Sequence, residues 1–67
     1  MTATINGEPR DLADGATLEA VIRSLGLDTS TGIAVAVNAR VVRRAAFANH
    51  TLHDGDAVEI IRAVAGG

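Results

Sequence analysis

Three small groups of residues in this chain have types and spacing that chemistry can use. His50 and His53 lie close enough to share a helix face and hold a metal, but the chain has no cysteine and the nearest acid is Asp54. A structural zinc site needs more ligands than that. The pair therefore reads as two solvated surface histidines, and no metal is expected. Asp54 and Asp56 resemble a carboxylate pair for acid–base work. Gly55 between them makes a β-turn the better reading. The serines stand in no triad-like context, and no glycine-rich loop has phosphate-binding spacing. No catalytic residue is expected, and the chain reads as a carrier or binding module, not an enzyme. The third group is the end of the chain, Val64-Ala65-Gly66-Gly67. Glycine there permits backbone conformations closed to other residues, so a tail of this kind can thread a narrow channel. It also leaves the terminal carbonyl of Gly67 unhindered for attack.

Composition narrows what could use such a tail. The chain has 67 residues, which implies one domain, 1–67, with a flexible Gly-Gly tail at about 64–67. A domain this small leaves no room for a deep cleft beside a core, and buries only roughly 60% of the surface its unfolded chain exposes. Hydrophobic residues make up 48% of the sequence, enough for a folded globule. The formal net charge is -2 and Phe47 is the only aromatic residue, so neither a basic footprint nor stacking platforms for nucleic acid are present. No apolar run reaches the length of a membrane span, and no charged-then-apolar leader opens the chain. The expectation is a soluble, cytoplasmic protein. Without cysteine the chain has no thiolate or persulfide of its own. Without lysine it forms no chains on its own lysines; all six basic residues are arginine.

The elements that must position the tail follow from local pattern. Asn6-Gly7 is a strong hairpin signal after Thr2–Ile5, with a return strand near Arg10 to Leu12 and Pro9 on an edge. Thr17 is placed as a helix N-cap. Leu18, Val21, Ile22 and Leu25 then form one apolar stripe, and Gly26 stops the helix. Ile33 to Val37 alternates large and small apolar residues as a strand does, Asn38-Ala39 turns, and Val41-Val42 returns. Residues 45–52 show no clear period; a short helical turn or loop around Phe47 is expected. A last strand runs from Ala57 to about Val64, with Val58 and Ile60 facing the core and Glu59 and Ile61 facing away. One helix with one apolar stripe covers one face of a sheet of about five strands: a two-layer α+β fold. The core is expected to join the helix stripe to Ile5, Ile33, Val35, Val37, Val58 and Ile60. Ile61, apolar on the helix-free face, is a candidate docking residue for partners. Arg43-Arg44 reads as a solvated edge, or as a contact for an acidic partner.

Asn6-Gly7-Glu8-Pro9, Thr17-Leu18 at the helix start, Asp54-Gly55-Asp56 with Val58-Glu59-Ile60, Arg62-Ala63-Val64 and the terminal Gly66-Gly67 together resemble the ThiS family, the sulfur carriers of thiamine biosynthesis. The resemblance runs from Thr4 to Gly67. It departs where members often carry Trp near Phe47 and a third glycine at Ala65. It implies the ubiquitin-like β-grasp fold and a carrier cycle. An adenylating, E1-like enzyme of the ThiF type would activate the Gly67 carboxylate with its own ATP and Mg, the carrier itself binding no cofactor. Sulfur originating from cysteine, through a source such as a cysteine desulfurase, would displace AMP and leave a thiocarboxylate. A thiazole synthase of the ThiG type would use it to build the thiazole ring of thiamine. A cysteine-free carrier can hold sulfur only at its terminus, which agrees with this cycle. Three alternatives stay open here: a carrier like the small subunit of molybdopterin synthase, a β-grasp modifier or adaptor, and a small domain whose glycine tail is only a frayed end.

Overall fold

The computed structural model describes residues 1–28 and 32–62. The expectations for Val64, Ala65, Gly66 and Gly67 fall outside the described residues, as do the last positions expected of the final strand.

Two left-handed turns set the hairpins. Strand β1 (Thr2–Ile5) turns through Asn6 and Gly7, with φ of 52° and 85°, into β2 (Glu8–Asp11). Both central residues have positive φ, as a type I′ turn requires, and its twist matches that of the strands it joins. The return strand thus begins two residues earlier than the pattern placed it. The tight turn pairs Ile5 with Glu8 at once, and Pro9 lies opposite Thr4 on an outer strand, where it owes no ladder hydrogen bond on its free side. A second such turn, Asn38-Ala39 with φ of 51° and 67°, joins β3 (Ile33–Val37) to β4 (Arg40–Val42). Strand β5 (Ala57–Arg62) takes the middle of the sheet, in the order β2-β1-β5-β3-β4. It runs parallel to β1 and antiparallel to β3.

Helix α1 (Leu18–Ser24) lies on one face of this sheet. Thr17 caps it, its Oγ1 accepting from Ala20 N at 3.2 Å. Glu19 and Arg23 pair one turn apart at 2.7 Å. The helix closes in a Schellman motif: Gly26 N–H donates to the Arg23 carbonyl and Leu27 N–H to that of Ile22. Gly26 sits at φ 76°, which a Cβ would strain. Leu18, Val21 and Ile22 are buried, but Leu25 is only half-buried because it is the cap residue, where the chain turns away. Ile33, at the end of its strand, is likewise half-buried. The two-layer α+β architecture of a mixed five-stranded sheet and one helix is the β-grasp fold.

The aperiodic segment contributes more to the core than its pattern indicates. Arg44–Ala46 makes a 3-10 turn, and Phe47 behind it is only 2% exposed, as is Leu52. The carbonyls of His50 and Phe47 accept from the N–H groups of Leu18 and Glu19, at 2.9 and 3.1 Å. These are first-turn donors that no intrahelical partner can serve. The same contacts hold Phe47 and Leu52 over the helix start, where they join Ile5, Val35, Val37, Val58 and Ile60 around the helix stripe.

Two expected outcomes follow for equilibrium urea unfolding. Phe47→Ala should cost about 3–5 kcal/mol, a large fraction of a small domain's stability. Leu25→Ala should cost only about 1–2 kcal/mol, since less of its surface leaves water. Equal losses would mean that the aperiodic segment is not part of the core.

Candidate functional site

Strand β5 leads to the terminal residues, so its support is the geometry of the site. Its backbone is held from both sides. On the β1 side, Thr4 N–H donates to the Asp56 carbonyl and Asn6 N–H to that of Val58, at 2.9 and 2.8 Å. Strand β1 then ends, and the Asn6 side chain takes its place. Oδ1 accepts from Ile60 N at 2.8 Å and Nδ2 donates to Ile60 O at 3.3 Å. A side-chain amide has one donor and one acceptor at nearly peptide spacing, so it extends the ladder by one residue pair without extending the strand. On the β3 side, the ladder runs from Val37–Val58 to Ile33–Arg62. Asn38 begins it: its N–H donates to Ala57 O at 2.8 Å, and its Oδ1 accepts from Ala57 N at 2.9 Å. Each asparagine sits at a left-handed turn position, where Asn is among the few residues tolerated.

Asp56 fixes the entry to β5. Its Oδ2 accepts from His53 N at 2.8 Å and its Oδ1 from Asn38 Nδ2 at 2.9 Å. The His53 N–H, and then the Asn38 amide, hold its carboxyl below the ordinary value of 3.8. Asp54 accepts from Thr2 N at 2.8 Å, and Gly55 lies at φ 86° between the two acids. The pair is therefore part of a turn, as the sequence pattern indicates, and its carboxylates tie that turn to Thr2 and Asn38. Among the described residues no group of His, Asp and Glu is arranged to hold a metal ion.

The helix-free face of β5 meets solvent. Ile61 is 64% exposed there, opposite Ala34 on β3. Val41 of β4 is 81% exposed on the same face, opposite Ala36. The two side chains bound a shallow apolar dent of about 90 Å³ floored by Ala34 and Ala36, with Glu59 at its side. Val41 is the residue that sequence reading missed. The alternation in Arg40-Val41-Val42 puts the two valines on opposite faces, but only the register Val35–Val42 decides which one is outward. Of the candidate site residues, Ile61 is thus placed on an exposed apolar patch, while Val64, Ala65, Gly66 and Gly67 follow the described end of β5. No described helix is long and apolar enough to cross a membrane.

A sequence model of the ThiS family matches residues 3–67, which includes both terminal glycines. The chain belongs to the ThiS family. The sulfur carrier protein ThiS of Thermus thermophilus is 36% identical over 63 residues, 94% of this chain and 95% of that one. A thiazole synthase of Paramagnetospirillum magneticum is 37% identical over all 67 residues, but the chain spans only 20% of that protein's length. Among solved structures, the crystal structure of the thiamine biosynthesis protein ThiS from Geobacter metallireducens superposes with a TM-score of 0.84 at 32% identity, covering all of both chains. A solution structure of a thiamine biosynthesis protein from the same organism gives 0.79 at 33% identity, covering all of this chain and 88% of that one. The β-grasp described above is therefore shared with a ThiS structure over its full length.

Two substitutions test the support of β5. Asn6→Gly keeps the positive φ and removes the amide, and should cost about 1 kcal/mol while speeding amide exchange at Ile60. Asp56→Ala should cost about 0.5–1.5 kcal/mol near neutral pH. Because the folded-state pKa is lowered, the contribution of Asp56 is fully present above 3.8 and fades as pH falls through the lower folded value. The stability difference between wild type and Asp56→Ala, followed by denaturant melts, should therefore shrink on acidification.

Proposed function

We propose that this chain carries sulfur for thiazole formation as a thiocarboxylate at Gly67. The observation that carries the reading is the reach of the ThiS family match, which continues past β5 to the last residue. A family defined only by its β-grasp core would not need Gly66-Gly67. In this reading the Gly67 carboxylate attacks the α-phosphorus of ATP held by an adenylating partner. Pyrophosphate leaves, and the acyl adenylate gives the carboxyl carbon a good leaving group, AMP. A sulfide-level nucleophile derived from cysteine attacks the acyl carbon, the bond from that carbon to the AMP oxygen breaks, and the resulting thiocarboxylate passes to the thiazole synthase. The chain itself supplies no catalytic group; it acts as a co-substrate. The name of the Paramagnetospirillum relative supports a thiazole synthase as the receiving partner, because a segment similar to this whole chain lies within that protein. The same name and the ThiS match favour the thiazole pathway over molybdopterin assembly.

The fold suits a carrier. A central strand pinned on both sides gives residues 63–67 a fixed origin, and a positional error of about an ångström at the reacting carbonyl is costly in rate. The six residues from Arg62 to Gly67 would span up to about 20 Å if extended. In this reading the partner encloses Val64, Ala65 and Gly66 in a channel. The dent between Val41 and Ile61 is where the partner would seat an apolar side chain beside the start of that channel.

Deleting Gly67, or Gly66→Val, should leave the melting temperature unchanged and abolish the mass shift of one oxygen exchanged for sulfur. That shift is read by mass spectrometry after incubation with ATP, an adenylating enzyme and a sulfur source. Ala65→Gly should be tolerated. Normal sulfur uptake by a chain lacking Gly67 would sink the carrier reading. Separately, Ile61→Asp and Val41→Asp should each weaken binding to the adenylating enzyme about tenfold with little change in melting temperature. Unchanged affinity in both would remove the dent from the docking surface.

A further inference from the structure

Charge is unevenly distributed across this sheet. The β2 side is acidic: residues 8–14 contain Glu8, Asp11 and Asp14 against the single Arg10. The β4 side is basic: residues 38–53 contain three arginines, two histidines and no acid. Because β2 and β4 are the two outer strands, the segregation separates opposite charges across the full width of the sheet. Beside β4 an open groove of about 840 Å³ runs between the strand and the segment carrying His50 and His53, with Arg40 and Arg43 on its rim. Neither arginine has an ion-pair partner among the described residues, and both are exposed. The one acid lining the groove is Asp56, whose oxygens already accept from His53 N and Asn38 Nδ2.

The edge adds a backbone feature. A two-residue turn makes Val37–Arg40 a hydrogen-bonded pair, so Val42 also points its peptide groups at β3 while those of Val41 face outward from the sheet. An unpaired strand edge takes up extended peptides.

We propose that the groove beside β4 is a second interaction surface, and that it binds an extended acidic segment of a partner protein, with carboxylates meeting Arg40 and Arg43 and backbone pairing at Val41. An acidic peptide fits better than single-stranded nucleic acid because the domain's single aromatic residue is buried in the core and offers no platform for base stacking. The groove lies at the entry of β5, beside Asp56. Such a contact chiefly steers encounter and fixes orientation. The carrier reading bears only on which partner supplies the segment; binding itself requires no sulfur chemistry.

The test is a titration of the isotopically labelled full chain with a synthetic peptide alternating Glu and Val, followed by amide chemical shifts. Saturable shifts are expected at positions 40–43 and 50–53, weakening as salt is raised. Arg40→Gln with Arg43→Gln should loosen binding about fivefold, at an unchanged melting temperature. Arg40→Lys with Arg43→Lys should recover most of it. A peptide alternating Lys and Val should leave these amides unmoved. Absence of shifts at millimolar peptide, shifts insensitive to the double Gln variant, or an equal response to inorganic phosphate or single-stranded DNA would each overturn the proposal. A chain lacking Gly67 should bind the peptide as the full chain does, so loss of sulfur uptake and loss of this contact are read separately.

Discussion

The rest of the structure depends on how the backbone of β5 is satisfied. A strand in the middle of a sheet must find partners on both sides, and β5 outruns its parallel neighbour β1, which ends at Ile5. Left alone, the Ile60 peptide would face a gap between strand and solvent. Asn6 closes that gap with its side chain while its own backbone makes the hairpin turn. Asn38 does the corresponding work at the other end and on the other side. Two residues chosen by turn geometry therefore also hold the functional strand, so the hairpin loops cannot be redesigned for turn propensity alone.

Once β5 is fixed, the asymmetry of the two faces follows. The core face receives Val58 and Ile60 and is covered by the helix and by Phe47 and Leu52. The other face keeps small residues at Ala34 and Ala36, so the exposed side chains of Ile61 and Val41 stand above a low floor. The helix in turn borrows its N-terminal acceptors from the segment that follows β4. Helix, 3-10 turn and core aromatic are one cooperative unit joined through the carbonyls of Phe47 and His50.

Much of this was legible in the sequence wherever a local rule governs. Asn6-Gly7, Thr17 and Gly26 each have one dominant structural use, and each has it here. The alternation through residues 57–61 assigned the faces of β5 correctly. What was not legible depends on distant contacts. Phe47 and Leu52 carry no period because their burial comes from docking on the helix start rather than from a repeating element. Leu25 matched the helix stripe but lies where the helix stops. The second roles of Asn6 and Asn38 need the register of a third strand. Val41 needed the register of β4, which a three-residue strand cannot announce. For Gly67 only the family resemblance suggests a chemistry, and that residue lies outside the described ones.

The pairing of β1 with β5 has a kinetic side. Thr4 meets Ala57 and Ile5 meets Val58, so the first strand waits for the last. Contacts so far apart in sequence carry a large loop-closure cost before they return any stability, and they form late. The β1 side of the strand bearing the tail is thus closed only by contacts between the two ends of the chain. A nascent or damaged chain has no ordered β5, no Asn6 bridge and no shaped face beside it. A partner that docks on that strand would therefore meet its shaped face only on a folded domain.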